Sequence, residues 1–329
     1  MFNKSILLLS TLEIVLVCIV IALVLFIIFY FLTGKALFKL IVKRDNHFGR
    51  GISRKLRKMA KRYKIDYGWW DKFPNEILSV ESEDKLTLYA RFLKAPNEDK
   101  KVAIVVHGFF ADYKDMQTYC KYFYSRGYNV VALDNRAHGM SQGDVVGMGW
   151  LDRLDVLKWI ELVIKKFGKD CQIVLFGLSM GGATVCMTCG ESLPPNVKCA
   201  IADSSYDSVY NEFYYVMKKE LKLPAWSLIN MFETYYKLNV GASIKEQSCV
   251  EQVKKTKTPI LLIHGTGDNF VPFEMHKTVF DAIPENLREE YVVENAWHCE
   301  AQAKNVRAYN LKLDKWLEKF VIENNKNQE

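Results

Sequence analysis

The sequence predicts an α/β fold in which a mostly parallel sheet is covered by helices on both faces. Short apolar runs alternate with amphipathic helical segments, which is the pattern of strands joined by helical crossovers. A G-x-S-x-G sequence stands at one strand-to-helix turn, and an uninterrupted apolar run lies near the N-terminus. With 329 residues, half of them hydrophobic, the chain is predicted to form a membrane segment and one large domain rather than a disordered protein.

The N-terminal apolar run predicts a membrane anchor. Residues 14–32 read IVLVCIVIALVLFIIFYFL, without a charge, which is long enough for a helix to span a bilayer. The run ends in bulky aromatic residues and not in the small residues of a cleavage site, so an uncleaved helix is favoured over a signal peptide. The anchor is assigned to residues 1–34.

The positive charge of the chain is concentrated behind this anchor. Residues 35–64 carry twelve Lys and Arg against one acid, within a formal net charge of +7. The positive-inside rule therefore predicts a single-pass cell-membrane protein whose large C-terminal part is cytoplasmic. Residues 35–74 are predicted as a juxtamembrane linker. Its helical stretch, 51–64, is interpreted either as lying on an anionic membrane surface or as a solvated linker. No nucleic-acid-binding motif accompanies the basic segment, so no nucleic-acid partner is expected.

The remaining chain predicts eight strands. Their approximate ranges are 76–81, 86–94, 101–106, 129–133, 172–176, 200–202, 259–263 and 290–293. The first two strands are expected to form a hairpin, and helical segments near 113–126, 150–167 and 303–321 alternate with the other strands.

One segment breaks this alternation. Residues 206–245 are rich in aromatic side chains and helical in propensity, and they fall between two predicted strands. They are predicted to form a small helical cap over the carboxyl ends of the sheet, half of its aromatic residues packing the core and the others lining an apolar pocket. The whole domain is assigned to 75–322 and residues 323–329 to a disordered tail.

The sequence Gly177-Leu-Ser179-Met-Gly181 predicts the nucleophile. It follows an apolar strand and precedes a helix-forming stretch, which is the context of a nucleophile elbow. Its glycines allow a sharp turn that exposes the Ser179 hydroxyl above the sheet. A serine needs a positioned base, and that base needs a third group to orient it.

The partners are predicted from chain order, which in this architecture runs serine, acid, histidine. Asp268 follows the strand at 259–263, and His298 follows the last strand. Asp203, after the preceding strand, is the rival for the acid. Two backbone N–H groups are expected to stabilise an oxyanion, that of Met180 and that of Phe109 in the loop after the third strand.

The spacing of the cysteines in the sequence does not indicate a metal site. Cys186 and Cys189 form a lone C-x-x-C on the helix after the serine, without a second pair or a histidine cluster, so core packing is favoured. We predict no metal and no cofactor.

These motifs resemble those of the α/β hydrolases, in the branch of serine aminopeptidases and monoacylglycerol lipases. The chain is also similar to membrane-anchored hydrolases of low-GC Gram-positive bacteria. The resemblance covers residues 75–322 and is carried by the elbow, by the two triad partners, and by His107-Gly-Phe109 and the loop from Asp134 to Ser141. Ala137 replaces a usual glycine of that loop, and Trp297 stands where glycine often precedes the histidine.

The resemblance implies a serine hydrolase acting through an acyl-enzyme, and the apolar cap beside a bilayer favours acylglycerol, lysolipid or other acyl esters. The side chains expected at the substrate are Phe110, Tyr206, Tyr210, Trp226 and Trp297. A peptidase or amidase, a thioesterase and a non-catalytic scaffold stay open as alternatives. The peptidase would need acids in the cap to hold an amine, and Glu212, Glu220 and Glu233 are candidates.

Overall fold

A computed structural model describes residues 10–44, 46, 49–51, 54, 68–96 and 100–321. Eight strands form one sheet in the order β1-β2-β4-β3-β5-β6-β7-β8. The pairs β1–β2 and β2–β4 are antiparallel, and the six strands β4, β3, β5, β6, β7 and β8 are parallel to one another. The strands are β1 Glu76–Glu81, β2 Thr87–Leu93, β3 Lys101–Val106, β4 Asn129–Asp134, β5 Gln172–Leu178, β6 Val197–Asp203, β7 Ile260–Gly265 and β8 Arg288–Val293. The predicted mostly parallel, eight-stranded α/β fold is confirmed.

Ten α-helices lie within the described residues. They are α1 Thr11–Ile41, α2 Gln117–Tyr124, α3 Trp150–Phe167, α4 Met180–Cys189, α5 Val209–Lys219, α6 Ala225–Val240, α7 Cys249–Val253, α8 Phe273–Ala282, α9 Ala301–Lys304 and α10 Val306–Phe320. The predicted basic helix at 51–64 and the predicted tail at 323–329 lie almost entirely outside the described residues.

The sheet is buried on both faces because its central strands are apolar throughout. In β3, Val102 and Ile104 belong to one core cluster, whereas Ala103 and Val105 belong to the other. Such continuous apolar runs are typical of a parallel sheet with helices on both sides. Helices α3, α4, α7 and α8 cover the first face, and α2 and α10 cover the second.

The cap consists of α5 and α6 between β6 and β7. Its buried stripe on α6 is formed by Ala225, Ile229, Phe232 and Tyr236, which recur at helical spacing. On α5 the stripe is formed by Val209, Glu212, Phe213, Val216 and Met217. The cap therefore sits on the sheet through one face of each helix, and one member of that face is a carboxylic acid.

Helix α1 has two parts. Residues 11–29 are exposed along their whole length, whereas Leu37, Phe38 and Ile41 are buried in the first core cluster. Within the described residues α1 is the one helix long and apolar enough to cross a membrane. At 1.5 Å per residue its exposed part is about 28 Å long, close to the thickness of a bilayer's hydrocarbon core.

The C-terminal end of α1 is attached to the domain by backbone and side-chain hydrogen bonds. Val146 donates its N–H to the carbonyl of Val42 at 2.8 Å, and Arg44 donates its N–H to the carbonyl of Asp144 at 2.9 Å. The Arg44 guanidinium donates to the carbonyl of Ser141 at 2.6 Å. The helix is therefore an integral part of the α/β domain at this end.

Candidate active site

The turn between β5 and α4 is strained in the manner of a nucleophile elbow. Ser179 has a φ of 57°, in the left-handed region that non-glycine residues rarely adopt. A Cβ at Gly177 would collide with the carbonyl of Gly181, and one at Gly181 would collide with the carbonyl of Val106. Both positions therefore require glycine, and the turn places Ser179 at the carboxyl edge of the sheet.

The structure brings together the three side chains predicted from chain order. Ser179 Oγ lies 2.8 Å from His298 Nε2, and His298 Nδ1 lies 2.7 Å from Asp268 Oδ2. All three side chains are buried. The imidazole thus bridges a hydroxyl and a carboxylate, although the acid and the histidine are 30 residues apart and the serine is 119 residues from the histidine.

Asp268 is held in its ionised form. Its Oδ1 accepts hydrogen bonds from the N–H groups of Phe270 at 3.0 Å and Val271 at 2.9 Å. Burial opposes ionisation, but the nearby His298 and the hydrogen bonds from His264 and His298 outweigh it and hold the pKa of Asp268 well below its usual range. The carboxylate can therefore orient His298 and stabilise an imidazolium.

The rival acid, Asp203, is occupied elsewhere. Its Oδ2 accepts a hydrogen bond from the Tyr309 hydroxyl at 2.8 Å, and its Oδ1 accepts one from the Ser204 hydroxyl at 2.9 Å. Burial raises the pKa of Asp203 to about 6 despite these two donors. Asp203 thus braces the site through Tyr309 and Ser204, whereas Asp268 contacts the histidine.

The two residues predicted to supply the oxyanion donors, Phe109 and Met180, lie at the cavity beside Ser179. Phe109 and Met180 line the same cavity as Ser179, and neither N–H has a hydrogen-bond acceptor in the described part of the chain. The N–H of Met180 begins α4, where helix geometry leaves it unpaired. Gly108, next to Phe109, is so close to Ser179 that an added Cβ would lie 3.2 Å from the serine Cβ. The assignment of these two N–H groups as oxyanion donors stays a prediction, and the loop that carries Phe109 is called the predicted donor loop.

Two buried histidines support the predicted donor loop. His107 accepts a hydrogen bond from the N–H of Asn135 at 3.0 Å, and His138 accepts one from the N–H of Phe110 at 3.1 Å. Burial, helped by the nearby His107, lowers the pKa of His138 to about 3, so it remains a neutral acceptor. Ala137, beside it, has a φ of 61°, in the left-handed region where glycine would be unstrained.

A cavity of about 390 Å³, measured with its open mouth, lies between the sheet and the cap. Its wall is mostly apolar and comes from α1, the cap and the loops at the carboxyl edge; the residues are Ile41, Phe109, Met148, Ser179, Met180, Tyr206, Glu212, Phe213, Val216 and Phe270. Ile41 is the last residue of α1, so the apolar N-terminal helix ends in the wall of the site.

Of the five predicted substrate-binding side chains, the structure places Tyr206 in the cavity wall. Trp226 points outward from the cap with 73% of its surface exposed, so its prediction as a pocket residue is not supported. Tyr210 stacks on Tyr214, and Phe110 packs against Phe109 at the edge of the predicted donor loop. Trp297 lies beside His298, with its indole N–H donating to Asn269.

The three cap acids have different surroundings. Glu233 accepts hydrogen bonds from the Ser243 hydroxyl and the Ile244 N–H, and Glu220 is exposed. Glu212 lines the cavity, is 4% exposed and has a buried Oε2 without a partner in the described part of the chain. Burial, with a smaller contribution from Asp268, raises the pKa of Glu212 well above its usual range.

Two free energies decide between the carboxylate and the protonated form of Glu212, and they favour the protonated form. The N-terminal end of α5 stabilises a carboxylate by about 0.3–1 kcal/mol. Removing an unpaired carboxylate from water costs several kcal/mol, so burial outweighs the helix dipole.

Comparisons with known proteins agree with this architecture. The sequence pattern of the serine aminopeptidase S33 family matches residues 97–247. The Bacillus subtilis (strain 168) protein YqkD, described as uncharacterized, is 25% identical over 224 residues, covering 68% of this chain and 73% of YqkD. The lysophosphatidylserine lipase ABHD12 of Danio rerio is 27% identical over 164 residues, or 48% of this chain and 40% of the lipase.

Solved structures show the same fold. The Pyrococcus furiosus esterase Pf2001 superposes with a TM-score of 0.61 at 21% identity, covering 80% of this chain and 94% of the esterase. The chain therefore has the α/β-hydrolase fold, and its predicted resemblance to the serine aminopeptidase branch is confirmed by the family match over residues 97–247.

Proposed function

We propose that this hydrolase cleaves carboxylic esters through Ser179, His298 and Asp268. The observation that carries the proposal is the continuous set of short contacts from the Ser179 hydroxyl through the imidazole to a buried carboxylate, at the wall of an apolar cavity. A serine hydroxyl is a weak nucleophile without such a base.

In this mechanism Ser179 Oγ attacks the ester carbonyl carbon while His298 Nε2 takes the hydroxyl proton. The N–H groups of Phe109 and Met180 stabilise the negative oxygen of the tetrahedral intermediate. His298 then gives its proton to the departing alcohol, which leaves an acyl group on Ser179. Water, activated by the same imidazole, attacks the acyl carbon, and the released acid restores the free serine.

Two observations support a lipid as the source of the acyl group. The cavity is lined mainly by hydrophobic side chains, as an acyl chain requires, and Ile41 brings the end of the apolar helix into its wall. A related protein is named as a lysophosphatidylserine lipase. We therefore propose that α1 spans the bilayer and delivers the cavity to the membrane surface.

The side of the membrane follows from charge. Lys35, Lys39, Lys43 and Arg44 come after the span, which favours a cytoplasmic domain. A fluorescent protein fused to the C-terminus should therefore fluoresce, and alkaline phosphatase fused there should be inactive. An active phosphatase fusion would show that the domain lies on the other side of the membrane.

A substrate panel tests the proposed function. We expect the full-length protein in detergent or vesicles to hydrolyse monoacyl esters with a kcat/KM at least about 100-fold above that for aminoacyl amides, because the apolar cavity suits an acyl chain. Ser179→Ala is the control for contaminating esterases. Faster cleavage of the amides would instead favour the peptidase, and equal ester activity in Ser179→Ala would overturn the proposal.

The joint between α1 and the cap provides a test of lipid delivery. A side chain at Gly34 would collide with the carbonyl of Met231 on α6. We expect Gly34→Leu to lower hydrolysis of vesicle-embedded esters about tenfold more than that of a soluble short-chain ester, because the cavity wall shifts relative to the membrane. Gly51→Ala is the control, since a Cβ there meets no atom of the described residues within 4 Å. An equal decrease for both substrates would contradict lipid delivery along α1.

A further inference from the structure

The cavity holds one carboxyl group that the proposed mechanism does not use. Glu212 belongs to the buried stripe of α5, between Val209 and Val216, and lines the same cavity as Ser179. Its Oε2 is buried and has no hydrogen-bond partner within the described ranges. Buried polar atoms of native proteins nearly always have a partner, so an unpaired one at a cavity wall calls for a partner inside the cavity, either a water molecule or a polar group of the substrate.

Among the residues that the structure describes, no basic side chain forms an ion pair with Glu212. The charges that act on it are those of Asp268, Asp207 and Glu220, and all three are acidic. The only hydroxyls among the cavity residues are those of Ser179, which contacts His298, and Tyr206, which donates to the carbonyl of Met148 at 2.9 Å. A desolvated carboxyl beside like charges keeps its proton.

We propose that Glu212 stands in the cavity as an uncharged carboxylic acid whose O–H hydrogen-bonds a hydroxyl oxygen of the substrate. The inference rests on the proposed esterase function and defines its substrate class: acyl esters of a polyol that retain free hydroxyl groups. A protonated carboxyl can donate to and accept from such a hydroxyl. An ammonium group would need the ionised form, which the cavity disfavours.

The protonation state can be measured without activity. At pH 7, the infrared difference spectrum between the wild-type protein and Glu212→Gln should contain the C=O stretching band of a protonated carboxyl group, shifted in heavy water. Glu220→Gln is the matched control, because Glu220 is exposed at the end of the same helix. A difference spectrum with only carboxylate bands would overturn the proposal.

Substrate discrimination tests the ligand. We compare kcat/KM for the glycerol ester and the propyl ester of the same medium-chain acid. The ratio of kcat/KM for the glycerol ester to that for the propyl ester should be about tenfold lower in Glu212→Met than in the wild-type protein, because one hydrogen bond is removed. Glu212→Gln should lose less than about threefold of it, because the amide still donates. An unchanged preference in Glu212→Met would contradict the inference.

The amine-binding alternative gives the opposite pattern. If Glu212 worked as a carboxylate, the wild-type protein would prefer an aminoacyl ester, and Glu212→Gln would lose that preference. Each preparation is first titrated with a fluorophosphonate to count reactive Ser179. An absence of labelling would count against the proposed function, whereas the infrared spectrum would still report on Glu212.

Discussion

Ser179→Ala should lower kcat for a soluble p-nitrophenyl ester by about 10⁶-fold, leaving only the rate that binding and the two backbone donors supply. The loss should be this large because no other hydroxyl contacts His298 Nε2 within the described residues. Steady-state kinetics with the purified full-length protein measure it.

The control for this variant is a serine far from the site. Ser125 caps the end of α2 and donates its hydroxyl to the carbonyl of Tyr122. Ser125→Ala should keep kcat within about twofold. A Ser179→Ala protein with more than a few per cent of wild-type kcat, after removal of contaminating esterases, would mean that another group is the nucleophile.

Asp268→Asn should reduce kcat by about 10⁴-fold while the protein remains folded. The carboxylate holds the N–H on His298 Nδ1, and an amide in its place allows the other tautomer, which leaves no acceptor for the serine proton. The loss should appear in kcat rather than in KM, because Asp268 contacts the histidine and is not itself among the residues that line the cavity. Stopped assays over a range of ester concentrations separate the two constants.

Asp203→Asn is the matched control for the acid. It alters the carboxyl that Tyr309 and Ser204 contact, so kcat should decrease by less than about tenfold. The folded-state pKa of Asp203 is raised to about 6, so binding of a proton to this carboxyl favours the folded protein over the unfolded chain. This contribution to the free energy of unfolding is fully present below about pH 4 and is lost as the pH rises through 6. The Tm of the wild-type protein should therefore change less favourably between pH 4 and pH 7 than the Tm of Asp203→Asn, which lacks this titrating carboxyl. A larger loss of kcat than in Asp268→Asn would exchange the roles of the two acids.

Most of the sheet could be predicted because its strands are short, apolar and separated by turn residues. The range of α3, 150–167, follows from its apolar period alone, and the structure has the same bounds. Chain order places Asp268 and His298 at one edge, since all parallel strands end there. Chain order also favours Asp268 over Asp203, but the contact that occupies Asp203, from Tyr309 106 residues away, has no signal in the local sequence.

The cavity lining was harder to predict because it depends on which faces of separate helices meet. Ile41 enters it from α1, a contact with no signal in the local sequence. Within the cap, the helical period also predicts which side chains are buried and which are exposed. Trp226 lies off the buried stripe of α6, which predicts its exposure, and Glu212 lies on the stripe of α5, which predicts its burial.

The central claim is that Ser179 is the nucleophile and is activated by His298. Mass-spectrometric mapping of a fluorophosphonate adduct tests it most directly. We predict one adduct, on the peptide that contains Ser179, and a labelling rate at least about 100-fold lower in His298→Ala. An adduct on another residue, or undiminished labelling in folded His298→Ala, would contradict the account.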